Sequence, residues 1–254
     1  MTAPVLIEAP SGAEGVRVVF STRRGGVSGG PYASLNLGTT AGDDFAAVRA
    51  NRTALARAVG IDPARAVTMR QVHGATVHHV GPRGGDGAFT GDLEGVADAD
   101  ACATTHPRVP LLALGADCPV IAAWRLDGQA VVAIHAGWRG LASGVVQAGI
   151  AALGASGAGV AAAVGPHVGP CCYPVDAAMR DHMASLFGSD VVRGRAVDLG
   201  LCTRRALAAA GVPDTRCQLV GACTSCDAAR FFSYRRDGAE TGRQAVLVTM
   251  GASA

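Results

Sequence analysis

Three residues of this chain combine metal-donor types at spacings that neighbouring strands can bring together: His73 in RQVHG, Cys118 in ADCPV and His135 in AIHAG. Two apolar runs, CPVIAAWRL and QAVVAIHAG, flank Asp127-Gly128, a dipeptide typical of a two-residue type I′ hairpin. If Leu126 pairs with Gln129, Cys118 falls opposite Gly137, and His135 lies diagonally from Cys118 on the same face. Diagonal neighbours are about 7–8 Å apart at Cα. One ion spans that gap, because zinc binds thiolate at about 2.3 Å and imidazole at about 2.0–2.1 Å. His73, before Gly74 at the end of an expected strand, would be the third donor. A His2Cys set leaves a fourth position for water or substrate, as catalytic zinc requires. The competing reading is a small buried cysteine and a satisfied core histidine. Asp117 before Cys118 and Arg139 just beyond the strand make the cluster more polar than a plain core.

Cys171-Cys172 lies between a strand and a helix start, where His167 or the helix N-terminus could activate a thiol; two loop cysteines shaping a Pro-Gly turn are the alternative. Cys223 and Cys226 form a lone CxxC with no second pair at finger spacing, so neither a zinc ribbon nor a redox motif is expected. His78 and His79 point to opposite sides of a strand. FFSYRRDG sets Phe231, Phe232 and Tyr234 beside Arg235 and Arg236, able to stack a base and pair an anion, or simply to shape a surface loop.

Composition narrows the classes. All 22 basic residues are Arg, which excludes a Schiff-base lysine and a P-loop lysine. A net charge of +2 without long basic runs argues against nucleic acid as a partner, and no apolar run is long enough to span a membrane. The first residues do not read as a secretory signal, so a cytoplasmic location is expected, and the eight cysteines read as free thiols, ligands or reactive groups rather than disulfides.

The elements that must position these residues follow from periodicity. Strands are expected at 16–21, 66–73, 76–80, 98–104, 109–117, 119–126, 129–136, 159–164, 217–222 and 244–250, and helices at 43–59, 141–154, 175–187 and 198–210. STRRGGVSGGPYASLNLG is a shaped glycine-rich loop, Gly81–Gly87 another loop, and residues 1–15 a loosely ordered N-terminus. Strands in runs, without regular βα alternation, predict an α/β layered sandwich of mixed sheets flanked by helices, one domain over 1–254. No Gly-x-Gly-x-x-Gly follows a strand, so a dinucleotide is not expected.

The motifs STRRGGVSGGPYASLNLG, QVHG, ADCPV, HAGWRGL, GPHVGPCCYPV and FFSYRRDG with Thr241-Gly-Arg243 run in order from about residue 20 to 250. Together they resemble the laccase-domain family, also named polyphenol oxidase YfiH-like, purine nucleoside phosphorylase-like or peptidoglycan editing factor. The resemblance implies a zinc site at His73, Cys118 and His135, and a layered α/β fold shared with certain cysteine-dependent toxin deamidases. It also implies phosphorolysis of adenosine, inosine or methylthioadenosine with inorganic phosphate as co-substrate, and adenosine deamination. On this reading His73, Cys118 and His135 carry the chemistry, and Asn36, Arg139, Cys171, Phe232 and Arg235 contact substrate. Arg139 or Arg235 would hold phosphate, Phe232 and Tyr234 would stack the purine, and Asp117 is a candidate proton carrier. A monomer or weak homodimer is expected. Pro119 directly after Cys118, Thr203 and Ala206 in the DLGLCTRRAL segment, and Cys226 depart from the family pattern.

Three alternatives remain open. A cysteine hydrolase acting on a wall precursor would use Cys118 as nucleophile and His135 as base. A copper-dependent polyphenol oxidase would need more histidines, often in His-x-His pairs, than the seven here, none so arranged, although an N/S site also takes copper. A non-catalytic binding protein is the third.

Overall fold

The computed structural model describes residues 2–91 and 96–251. In chain order the elements are β1 (Leu6–Ala9), β2 (Arg17–Ser21), α1 (Phe45–Val59), β3 (Val77–His79), β4 (Ala101–Thr104), β5 (Leu111–Gly115), β6 (Val120–Arg125), β7 (Val131–His135), α2 (Trp138–Ala142), α3 (Val145–Ala151) and β8 (Val160–Val164). They continue with α4 (Ala177–Phe187), β9 (Val192–Arg193), β10 (Ala196–Val197), α5 (Leu199–Ala209), β11 (Cys217–Leu219), α6 (Tyr234–Asp237) and β12 (Gln244–Thr249). Aspartates cap the three longest helices: Asp44 accepts from the Ala46 amide, Asp176 from Met179 and Asp198 from Leu201.

The strands form an antiparallel sheet in the order β1-β2-β12-β5 and a six-stranded mixed sheet in the order β11-β8-β6-β7-β4-β3, with β9 and β10 a separate ribbon. Side-chain alternation sorts the buried residues into three layers. Val18, Phe20, Val246 and Val248 of the first sheet meet Val120, Trp124, Val131 and Ala133 of the second. The opposite faces carry Val19 and Leu247 onto Leu55 and Val59 of α1, and Ile121, Val132 and Ile134 onto residues of α2, α3 and α5. The result is a helix–sheet–sheet–helices sandwich. Burial on both faces explains why the central strands read as unbroken apolar runs.

Three expectations are corrected. The stretch 66–73 is not a strand: Val67 and Arg70 make only isolated bridges, to Leu111 and Asp98. Ala66, Val67 and Met69 are buried while Val72 is exposed; the Gln71 side chain pairs with the Leu114 backbone, and the amides of residues 72–74 turn to a carboxylate instead of a strand. The helix expected over 141–154 starts at Trp138 and is split by Gly144, which is left-handed at φ 83°. Within 1–15, β1 pairs with β2 from Leu6↔Ser21 to Ala9↔Val18, a strand too short to give a clear pattern; Met1 lies outside the described residues. Among the described residues no helix is long and apolar enough to cross a membrane.

Candidate metal centre

The β6–β7 hairpin takes the expected register, with Val120 opposite His135 and Ile121 opposite Ile134. Its turn is not type I′, which needs positive φ at both central residues. Only Gly128 is left-handed, at φ 70°, and the Gly128 amide donates to Arg125 O while the Arg125 amide donates to Ala130 O. The strand pairing survives the change of turn. Cys118 lies just before β6, after Asp117 at φ 94°, and His135 is the last residue of β7.

Because β7 runs antiparallel to both β4 and β6, its C-terminal end meets the starts of both. The register Ala101↔Ile134 sets Asp100 across from His135, whose amide donates to Asp100 O at 2.7 Å. The Asp100 carboxylate, fully buried, sits 2.8 Å from His135 Nδ1 and also accepts the amides of Val72, His73 and Gly74 at 3.2, 3.0 and 2.7 Å. One carboxylate thus orients the His135 ring and holds His73 in a left-handed conformation, φ 60°, that a histidine seldom adopts unaided. The two imidazoles meet edge to face at 4.8 Å.

Candidate ligand atoms of His73, Cys118 and His135 all lie within 4.8 Å of one another. Gly137 makes this approach possible: a Cβ there would stand 2.8 Å from His73 Cδ2 and 3.1 Å from Cys118 Sγ. Burial opposes the Cys118 thiolate, but the His135 charge and hydrogen bonds from both imidazoles outweigh it and bring the thiol down to about 6. Burial likewise opposes a charged His135, which the Cys118 thiolate and the Asp100 hydrogen bond raise to about 9. Asp100 stays below the usual carboxylate range because its hydrogen bonds from His135 and the Gly74 and His73 amides exceed the cost of burial.

Residues 17–251 match the family model described as multi-copper polyphenol oxidoreductase laccase. The chain belongs to this family. It is 41% identical to a purine nucleoside phosphorylase of Streptomyces coelicolor over 92% of this chain and 95% of the relative, and 36% identical to the purine nucleoside phosphorylase YlmD of Geobacillus stearothermophilus over 90% and 88%. The crystal structure of Bacillus licheniformis YfiH superposes with a TM-score of 0.88 at 28% identity, covering 92% of each chain, and that of Geobacillus stearothermophilus YlmD with 0.86 at 32%, covering 95% of this chain and 94% of the other.

Within this laccase-family fold, the expected substrate contacts divide. Arg139 is exposed, stacks on Trp138 at 4.4 Å and has no ion-pair partner among the described residues. Arg235 is exposed and lies 4.7 Å from the Tyr173 ring. Phe232 does not present a stacking face: it is fully buried, with Arg23 4.5 Å from its ring and Gly242 against it. Asn36 is also fully buried, its amide donating to Gly38 O and Asp43 and accepting from the Gly38 and Arg243 amides, so it shapes the glycine-rich loop. Cys171 joins Cys172, Cys223 and Cys226 rather than the histidines. His167 Nδ1 contacts Gly165 O. Asp117 accepts the Thr224 hydroxyl at 2.6 Å and the Arg235 amide at 2.5 Å, which fixes its carboxylate beside Cys118.

Two contributors escaped the sequence reading. Asp100 could have been found only by knowing that β4 borders β7. Arg243 has its pKa lowered by burial, against the opposing charges of Cys118 and Asp117. Its Nη1 donates to Thr241 O and Gly242 O.

Proposed function

We propose that this chain is a purine nucleoside phosphorylase in which His73, Cys118 and His135 hold a zinc ion and inorganic phosphate is the co-substrate. The observation that carries this reading is the convergence of the three donors, with His135 backed by buried Asp100. Sequence supports it through relatives named purine nucleoside phosphorylases that match nearly the whole chain. Two imidazoles and one thiolate suit zinc, and copper is the expected competitor for such N/S donors. When bound, the ion supplies Lewis acidity at a coordination position the protein leaves open.

The chain's own residues supply the rest. Asp100 retains the Nδ1 proton of His135 and leaves Nε2 to face Cys118. Phosphorolysis brings phosphate to C1′ of the ribose as the purine leaves, so a dianion must be held beside the sugar. Arg235 and Arg243, grouped electrostatically with Tyr173 and Cys118, are assigned that task through paired N–H donors. With Phe232 buried, purine stacking passes to Tyr234, whose side is open to solvent at 55% exposure. Adenosine deamination is proposed as a second activity of the same centre. Incubating the protein with inosine and phosphate tests the reading. Hypoxanthine and ribose 1-phosphate should form well above a His73→Ala control; equal, background amounts would sink it.

One observation favours a second reading. Cys118, His135 and Asp100 stand in the order nucleophile, base and orienting carboxylate. A cysteine hydrolase acting on an amide of a wall precursor would use that triad without metal. Loss of the zinc held by the histidine centre in Cys118→Ala supports the phosphorylase; an active protein with no zinc at that centre supports the hydrolase.

A further inference from the structure

A second group of thiols lies away from the histidine centre. β8 and β11 are adjacent parallel strands, paired from Cys217↔Ala162 to Leu219↔Val164, so the loops that follow them leave the sheet side by side. A bridge between His167 and Cys223 extends the pairing, and the Thr224 amide donates to His167 O. The first loop carries Cys171 and Cys172, the second Cys223 and Cys226. All four thiols are free and their sulfurs lie within 4.8 Å of one another. Cys226 Sγ is 3.6 Å from Cys171 Sγ and 3.4 Å from Cys172 Sγ, and the Gly169 amide donates to Cys223 Sγ at 3.2 Å.

These distances discriminate between chemistries. A disulfide needs sulfurs at about 2.05 Å, far closer than the 3.4 and 3.6 Å separations of Cys226 from Cys172 and Cys171. Four metal–sulfur bonds of about 2.3 Å in a tetrahedron separate sulfurs by about 3.8 Å, close to the spacings seen. We propose that Cys171, Cys172, Cys223 and Cys226 bind one zinc ion as a tetrathiolate, a second site separate from His73, Cys118 and His135. Four protein thiolates fill a tetrahedral shell and leave no position for substrate, so the site is structural. Its effect is to tie two loops together. Tyr173 follows Cys172 directly, while Thr224, between the other two cysteines, donates to Asp117 beside Cys118. Arg236 donates to the carbonyls of Thr224 and Ser225, fastening the same loop to α6.

The test is metal counting on the His73→Ala/Cys118→Ala double variant, which lacks the other centre, purified from zinc-supplemented cells. One zinc per chain is expected, with a zinc-edge spectrum of four sulfurs at about 2.3 Å, and Cys226→Ser in that background should abolish it. No zinc, iron in its place, or a disulfide among the four thiols detected by alkylation without reduction would overturn the site. If the double variant is insoluble, the zinc edge of the wild-type protein decides. Several sulfurs per zinc on average are expected, against the single sulfur that Cys118 supplies if the tetrathiolate is absent.

Discussion

His135 gives its second ring nitrogen to a buried carboxylate, whereas the thiols of the Cys171 group contact one another and the Gly169 amide. The first centre has three donors of two kinds, Cys118 and His135 at strand ends and His73 in a loop, held by hydrogen bonds to one carboxylate and by a glycine that leaves room. The second has four donors of one kind on two loops, with Cys171 and Cys226 exposed. A donor set one short of tetrahedral, with outer groups fixing its geometry, keeps a place for a reactant. A complete set of equal ligands keeps none, and its binding free energy becomes folding free energy. On the two proposals, donor number and outer hydrogen bonds separate reactivity from support.

The contrast is broken most directly by removing one thiol from each centre. Cys118→Ala should lose phosphorolysis at least about 100-fold, beyond the loss typical of outer-shell changes. Cys226→Ser should retain turnover and instead lower the thermal midpoint, followed by calorimetry. Equal activity losses in both would erase the distinction. Next in size is Asp100→Asn, which keeps the volume but disturbs the acceptor of His135 Nδ1. A fall of about 10–100-fold in metal affinity or activity is expected, read by competition with a chromogenic chelator; an unchanged affinity would remove Asp100 from the centre. Gly137→Ala comes third. Its Cβ would press on His73 and Cys118, so it should weaken metal binding at the histidine centre alone while the tetrathiolate keeps its ion.

The smallest effect concerns reactivity. In metal-free protein, Cys118 should be alkylated by iodoacetamide with a rate that rises as pH passes through about 6, because its thiolate, lowered by His135 and His73 against burial, persists down to that pH. Peptide mapping separates it from the other thiols. A midpoint near that of a free thiol would show that the imidazoles do not hold the thiolate.

Much of the first centre was legible in sequence. The apolar runs on either side of Asp127-Gly128 placed Cys118 and His135 together, and the pairing held although the turn took another form. His73 was expected at a strand end and stands in a loop, since an apolar run such as 66–73 signals burial without saying that a strand pairs there. Phe232 was misread for a similar reason: aromatic residues beside arginines suit a binding face or a core equally, and Gly242 and Gln244, distant in sequence, decide for the core. Cys223 and Cys226 looked solitary because their partners lie some fifty residues away on a neighbouring strand's loop.

By itself the sequence determined what depends on short range: helix starts at Asp44, Asp176 and Asp198, the two-sided burial of the central strands, and the hairpin register, since a one-residue slip would turn every side chain to the wrong face. Only the tertiary structure decided which strands are neighbours. The β4–β7 pairing places Asp100 against His135, and the β8–β11 pairing brings four cysteines together. Both pairings join segments far apart in the chain, and their choice rests on how two sheets and two helical layers close over a shared core, which no local spacing encodes.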